Sequence, residues 1–589
     1  MREGGNKRPG PQRLTASPWP WLLSLAFAVT FATWVPMCGG NRIQVGSADS
    51  ALLFLYLFVP HALGLFLVAT LARLLLHAAR GSRAGAAERS ALLLGACLGA
   101  LIGLNALLRF PVTYGLFNSR EQPFLTPWGL AGLLAFASTP VFLALGARAL
   151  ALRSSILPLV AWGGVFTAVW AGLSVGETPP IVDLEHASRP SAGTQTGSSA
   201  KRVALLGFDG LSWEIALALR DRGEMRHLSR ALTGAAVARI HPEIPTLSPA
   251  LWTTMATGRR PADHGVIGFS KFLLPGLKTP IGYGPSLSTP NWWNGLNRVL
   301  LLARDRHWLD DEPSFSTDRN VPAIWDLADH HAVPVGMVGW LSSWPVARPV
   351  SGGFRVAAFD GRVGSGWPPD ARELPEAETP RPPSGNHFVA GWWQDQAAQA
   401  LATAQLVERF PETRLLAAYF RFPDPIQHHA WRGDRWWISG APALSEIPLD
   451  ILASYRRVDD MLGTLLGALG EDTLALIVSD HGFLFDGHQH HRGPAGVFLA
   501  SGPGVRPGVV TDITLYDVFP TLVALLRLPL SDEVPGRIVR EVFLPGVVLE
   551  PPRVAAYDWY RPETNRIGER QIELEDAQLE AIRALGYVN

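Results

Sequence analysis

Val203-Ala204-Leu205-Leu206-Gly207-Phe208-Asp209-Gly210 is an apolar run that stops abruptly in Asp-Gly. Such a run reads as a strand of a parallel sheet, buried on both faces, with a carboxylate at its carboxyl end. The same design returns at Thr473–Gly482, where Thr-Leu-Ala-Leu-Ile-Val-Ser runs into Asp480, His481 and Gly482. Between them, Leu415-Leu416-Ala417-Ala418-Tyr419-Phe420 precedes Asp424 and, four residues on, His428. In open α/β sheets ligands bind in the crevice outside the carboxyl ends of the strands. Three strands ending in Asp, Asp and Asp-His therefore bring metal-type ligands from distant parts of the chain into one crevice.

A fourth stretch supplies a hydroxyl. Pro245 to Val266 reads P-T-L-S-P-A-L-W-T-T-M-A-T-G-R-R-P-A-D-H-G-V. It opens in a Pro-flanked turn, continues as an apolar segment and ends in the turn signal Pro261–Gly265. Ser248 stands at the expected start of a helix. There its hydroxyl caps free backbone N–H groups, or sits where the helix dipole favours an anion. Capping is the simpler reading of Ser-Pro taken alone. The ligand-bearing strands on either side in sequence move the reading toward chemistry.

These residues resemble the alkaline phosphatase superfamily, and within it the type I phosphodiesterase/nucleotide pyrophosphatase branch. The resemblance is carried by F-D-G at Phe208–Gly210, S-P-A-L-W…A-T-G…H-G at Ser248–Gly265 and P-A-I-W-D at Pro322–Asp326. It continues through D-P-I-Q-H at Asp424–His428, S-D-H-G at Ser479–Gly482, H-R-G-P-A-G at His491–Gly496 and Y-D-V-F-P-T at Tyr516–Thr521. Each motif is weak by itself; seven in family order across about 320 residues are specific. The fold implied is α/β, a mostly parallel sheet sandwiched by helices with cap insertions.

The resemblance also implies a site. It assigns Asp209, Ser248, Asp480 and His481 to one metal, and Asp424, His428 and His491 to a second. Two divalent ions, expected to be zinc, suit this mixture of imidazole nitrogen and carboxylate oxygen. A pair about 4 Å apart clamps the attacking and leaving oxygens of an in-line displacement. Ser248, a poor nucleophile when free, then becomes the catalytic group and carries a phosphoseryl intermediate. Thr246 is the rival nucleophile, but Ser248 stands ten residues before Gly258, the family spacing. The H-R-G-P-A-G motif favours His491 over His488 and His490. His429 reads as a neighbour of the ligands, and His264 as a structural turn residue. One departure matters: Leu251 occupies the place, three residues after the nucleophile, where animal nucleotide pyrophosphatases carry Asn. Nucleotide specificity is therefore not carried over. The sulfatase pattern Cys/Ser-x-Pro-x-Arg is absent, and phosphoglycerate mutases share the core but work in the cytosol.

The chain of 589 residues exceeds what one hydrophobic core covers, so at least two domains are expected. Basic and acidic residues balance at 51 each, which gives no reason to expect nucleic acid binding. Charged residues make up 17% and hydrophobic ones 48%, an excess concentrated in residues 1–175. Five apolar runs stand there, at about 18–37, 51–76, 90–108, 126–147 and 154–175. Each approaches the roughly 20 residues that span a bilayer as a helix. Arg2, Lys7, Arg8 and Arg13 precede the first run, Arg80, Arg83 and Arg89 follow the second, and Arg148 and Arg153 follow the fourth. The opposite loops carry only Arg42, Arg109 and Arg120. The positive-inside rule then puts the N-terminus in the cytoplasm and everything after the fifth run outside. A cleaved signal peptide is the competing reading of the first run, disfavoured because Pro36-Met37-Cys38 lacks the small residues of a cleavage site. His61, beside Pro60 in the second run, reads as a neutral imidazole at a kink rather than a functional group.

The expected organisation is a membrane domain at 1–175 and a linker at 176–202, rich in Pro, Ser, Gly and Thr. A catalytic domain at 203–550 and a tail at 551–589 follow, the tail with an amphipathic helix around Glu573–Leu585. The clearest helix is 451–469, with Ile451, Tyr455, Val458, Leu462, Leu465 and Leu469 in register and Gly470 as its stop. Two stretches, about 271–320 and 351–395, are rich in Pro, Gly and Trp and read as insertions outside the core. The only cysteines, Cys38 and Cys97, fall in the membrane part, so a large core and bound metals must hold the outer domain together. The function expected is a membrane-anchored, outward-facing phosphohydrolase of phosphate esters, most simply a phosphodiesterase, in the cytoplasmic membrane with its domain on the periplasmic side. The alternative is a phospholipid headgroup transferase of phosphoethanolamine or phosphoglycerol type. A catalytically dead binding domain is a third reading, and it has no need of seven ligand-type residues together.

Overall fold

Strand β1 (Arg202–Phe208) lies at the centre of a nine-stranded sheet, and its carboxyl end carries the first predicted ligand. The structure is a computed structural model describing residues 46–78 and, with gaps, 200–560. The gaps are 244–245, 279–309 apart from 281, 360–361, 374, 378–381, 386, 432–442 and 484–493. The N-terminal part is described as helix α1 (Ala48–Ala78).

The remaining strands of the chain up to residue 514 are β2 (Ala236–His241), β3 (Ser270–Leu273), β4 (Asp310–Pro313), β5 (Val335–Val338) and β6 (Gly353–Phe359). They continue with β7 (Arg362–Trp367), β8 (Leu415–Phe420), β9 (Thr473–Val478), β10 (Gly496–Ser501) and β11 (Val510–Thr514). The sheet order is β11-β2-β10-β9-β1-β8-β5-β6-β7, while β3 and β4 pair separately. β1 pairs in parallel with both β8 and β9, and only β7 and β10 run against the rest. The three strands singled out in the sequence are thus immediate neighbours, and their carboxyl ends open on the same edge. The mostly parallel α/β sheet expected from the sequence is the one observed.

Strand period sets which side chain enters which layer. Val203 and Leu205 join one core; Ala204, Leu206 and Phe208 join the other. Burial on both faces is what an unbroken apolar run requires. One face is covered by α2 (Ser248–Thr257) with the helices at Ile324–His330 and Val518–Leu525. The other is covered chiefly by α3 (His387–Arg409) and the later helix Leu449–Leu469. In α2, Pro249 occupies the first turn, where its missing N–H costs nothing, and Gly258 ends the helix at φ +66°. The helix predicted at 451–469 runs Leu449–Leu469, buries all six periodic residues and stops at Gly470 with φ +73°.

The stretch 351–395 differs from its reading as an insertion. It contributes β6 and β7 to the main sheet, and Trp392 and Trp393 are buried against its core. Its Pro and Gly serve turns at the sheet edge, a composition indistinguishable from that of a cap. In 271–320, β3 and β4 form a separate ribbon, and 282–309 lie outside the described residues.

Among the described residues no helix is long and apolar enough to cross a membrane. The predicted run 51–76 falls on α1; the runs at 18–37, 90–108, 126–147 and 154–175 and the tail helix lie outside the described residues, as does the side chain of His61. α1 touches the catalytic part. Tyr56 Oη donates to the Pro275 carbonyl (2.8 Å), Asp49 accepts from the Lys278 backbone N–H (3.3 Å), and Leu53 and Leu57 are buried.

Candidate active site

Asp209 follows β1 directly, and Asp480 and His481 lie just beyond β9. Because the two strands are paired, these three residues converge with no long-range distortion of the chain. One ligand atom from each lies within 4.8 Å of the others, and all three side chains are buried. His481 Nε2 stands 3.4 Å from Asp209 Oδ1 and 3.4 Å from Asp480 Oδ2. Its other nitrogen, Nδ1, donates to the Gly482 carbonyl (3.1 Å). A carbonyl only accepts, so the proton sits on Nδ1 and the Nε2 lone pair faces the carboxylates. Ser248 opens α2 and lies against this group, its Oγ 3.4 Å from Asp209 Oδ1. The backbone around it is tied by Ser479, whose Oγ accepts from Leu211 N–H (2.9 Å) and donates to the His481 carbonyl (2.8 Å).

Asp424 and His428 begin and close the first turn of α4 (Asp424–Ala430), with His428 Nε2 3.4 Å from Asp424 Oδ2. Spacing of four residues puts both on one helix face. Asp424 comes close to β1 because its backbone N–H donates to the Asp209 carbonyl (3.1 Å) and because residue 210 is glycine. At φ +66°, a Cβ on Gly210 would lie 2.9 Å from the Asp424 side chain. Gln427, one residue before His428, donates to the Gly210 carbonyl (2.8 Å) and accepts from Tyr455 Oη (3.2 Å), which pins the helix to the strand end.

Three buried carboxylates gathered in one place repel one another. Burial, then the charge of Asp424, pushes Asp209 up to about 7, although hydrogen bonds from Tyr419 and Trp252 pull the other way. Burial, then the charges of Asp209 and Asp424, hold Asp480 well above the usual carboxylate range. Burial pulls His481 down to about 4, so its imidazole is neutral near pH 7. Asp480 Oδ2 is buried and has no hydrogen-bond partner among the described residues. An orphaned oxygen, an imidazole lone pair and a second carboxylate facing one point are what a divalent cation relieves. Asp209, Asp480 and His481 therefore form a group able to hold a metal ion.

The structure brings together Asp209, Ser248, Asp480 and His481, and places Asp424 and His428 beside them. His491, with His488 and His490, lies outside the described residues. Thr246 is buried two residues before Ser248, ahead of α2. His429 packs edge-on against Trp392 (6.0 Å between centroids). His264 is buried, bonded through Nδ1 to Val266 N–H (3.2 Å) and through Nε2 to Thr254 Oγ1 (3.1 Å), a structural turn as expected. Sequence reasoning missed Tyr419 and Trp252, both of which hold Asp209. The available signals were a phenol within an otherwise apolar strand and an indole one turn beyond Ser248.

Residues 203–486 match the model of the type I phosphodiesterase/nucleotide pyrophosphatase family. All six candidate residues described above fall inside that match. The chain is a hydrolase of phosphoric ester bonds. The match spans a little under half of the chain and is to a metal-dependent family. Among solved structures the hydrolase is similar to a 2-O GAG sulfatase at 14% identity, covering 58% of this chain and 74% of that one, with a TM-score of 0.37. It is also similar to murine ectonucleotide pyrophosphatase/phosphodiesterase 5 at 13% identity, covering 58% of this chain and 100% of that one, with a TM-score of 0.34. An inactive form of the murine protein in complex with AMP is matched to the same extent. The conclusion rests on the domain match, to which these distant likenesses add nothing. No curated protein matches the chain.

Proposed function

We propose that this hydrolase is a phosphodiesterase that works through a phosphoserine intermediate, with Ser248 as nucleophile, anchored in a membrane with its site outside the cytoplasm. The observation that carries the reading is Ser248 Oγ beside the buried Asp209–Asp480–His481 group, 3.4 Å from Asp209 Oδ1. Its hydroxyl proton is directed at that carboxylate oxygen, which turns an oxygen lone pair toward an incoming phosphorus. Attack forms the Ser248 Oγ–P bond as the bond from phosphorus to the leaving oxygen breaks; the proton the hydroxyl gives up offsets the one the leaving alkoxide takes from solvent, and water then cleaves the phosphoserine and restores the hydroxyl.

Asp209, Ser248, Asp480 and His481 would hold one ion, and Asp424, His428 and His491 a second, with zinc suited to both donor sets. Such ions, when bound, supply a positive charge that lowers the pKa of coordinated oxygens and neutralises the phosphoryl group. His481, kept neutral by burial and fixed by its Nδ1–H bond, is a ligand and not a proton donor in this scheme. Membrane anchoring rests on the sequence, on its five apolar runs and the alternation of Arg and Lys between them.

The test is turnover of the full chain in detergent against a panel of phosphodiesters and monoesters, with metal content measured in parallel. Sustained turnover on a diester with water as acceptor supports the reading. A single burst equal to the enzyme, followed by turnover only when lipid is added, would replace it with headgroup transfer. Location is tested separately: a reporter fused after Asn589 is active only where exported, and external protease cuts near Ser191–Ser199 in intact cells.

A further inference from the structure

The carboxylate of Asp209 is used asymmetrically. Both of its strong donors approach one oxygen: Tyr419 Oη lies 2.6 Å from Oδ2, and Trp252 Nε1 lies 3.2 Å from it. The other oxygen, Oδ1, faces Ser248 Oγ and His481 Nε2, each at 3.4 Å. A carboxylate free to rotate about its Cβ–Cγ bond would present either oxygen to the site. Two donors on the same oxygen remove that freedom.

The two donors come from different elements and are themselves held in place. Tyr419 belongs to β8 and sits directly across from Gly207 of β1, two residues before Asp209. Trp252 lies on α2, one turn beyond Ser248. Their rings meet edge to face, with centroids 4.9 Å apart and planes at 70°. Trp340 closes the cradle, edge-on to Trp252 at 5.4 Å, and donates its own indole N–H to the Trp252 carbonyl (3.1 Å). The indole of Trp252 lies against β1 at residue 207, where a Cβ would stand 2.4 Å from Cζ3 and 2.6 Å from Cη2. That contact explains a glycine in the middle of a central strand, where it otherwise weakens the sheet.

We propose that Tyr419 and Trp252 are positioning residues that lock Asp209 with Oδ1 toward the metal and Ser248, and that Trp252 ties the nucleophile's helix to the ligand's strand. The inference rests on the metal-dependent reading of this site. Outer partners of this kind orient metal-binding side chains, and their loss typically costs 10–100-fold in affinity or activity. Packing alone gives a different expectation. A tyrosine that merely fills space is replaced by phenylalanine with a change in melting temperature and none in metal affinity.

Zinc titration of the full chain in detergent against a chromophoric chelator separates these cases, with kcat and KM measured on a soluble phosphodiester. Tyr419→Phe, which removes one oxygen and keeps the ring, is expected to weaken the tighter zinc by about 10–100-fold. It should lower kcat at saturating zinc with KM little changed. Trp252→Phe should weaken zinc less, by several-fold, and lower kcat more, because it also frees the Ser248 helix. Gly207→Ala, which displaces the Trp252 indole and its N–H from Asp209 while leaving Tyr419 in place, should reproduce the Trp252→Phe pattern. Wild-type zinc affinity in both phenylalanine variants, with only the melting temperature lowered, overturns the proposal and leaves the metal site standing. A wild-type chain that binds no zinc overturns the metal reading itself. Should Tyr419→Phe fail to fold, Trp252→Phe in the same titration decides the matter.

Discussion

The two proposed ligand groups of this site are built differently. Asp209, Asp480 and His481 hang from the ends of two paired central strands, are buried without exception, and are framed by Tyr419, Trp252 and Ser479. Asp424 and His428 share one short helix that enters the site through a glycine contact, and His428 is only partly buried. A strand end in the middle of a sheet inherits the rigidity of the sheet. A seven-residue helix depends on the bonds that Gln427 makes to Gly210 and Tyr455. For the two ions proposed, the contrast predicts a tight, preorganised position beside Ser248 and a looser one beside α4.

Ser248→Ala should have the largest effect, lowering phosphodiester hydrolysis by several orders of magnitude while thermal unfolding stays unchanged. The lost contact to Asp209 is long and contributes little to the fold. Thr246→Ala should cost less than about tenfold in the same assay. The reverse ranking would shift the nucleophile by two residues and detach it from the tight group.

Metal removal probes the contrast directly. Elemental analysis should find two transition-metal ions per chain, and graded chelation should remove one well before the other. Asp480→Asn should abolish the tightly held ion, whereas His428→Ala should remove the loose one and leave the first in place. Loss of both ions together in either variant would mean that the two groups act as one unit.

The pH dependence of zinc affinity follows from the tight group. Asp209 is pushed up to about 7 in the metal-free fold, so below that pH an ion must displace a proton to bind. Affinity should fall by at least roughly tenfold for each pH unit below about 7, since Asp480, also held high by burial, must give up a proton as well. A flat profile between pH 5 and 7 would show that Asp209 is already ionised without metal. The smallest effect is expected at His429, which packs on Trp392 beside the looser group; His429→Ala should change kcat by no more than about twofold, measured at saturating zinc.

The seam between what was legible in the sequence and what was not follows interaction range. Unbroken apolar runs ending in Asp-Gly or Asp-His announce buried parallel strands, because burial on both faces admits no polar alternation. The helix at Leu449–Leu469 was legible from its period and its terminal glycine. The stretch 351–395 was misread, because turn residues at a sheet edge have the composition of an insertion, and only pairing with β5 shows that β6 belongs to the sheet. Gly210 and Gly207 looked alike as small residues near a strand end. In the structure one admits Asp424 and the other admits Trp252.

The sequence by itself determined which residue types could carry the chemistry and that their strands end on one edge, since both follow from local periodicity and from the direction of parallel strands. Only the tertiary structure decided which oxygen of Asp209 is free, because that depends on a phenol from β8 and an indole from α2 meeting it in space. Hydrogen bonds between elements about 40 and 210 residues apart leave no periodic trace in the chain that makes them.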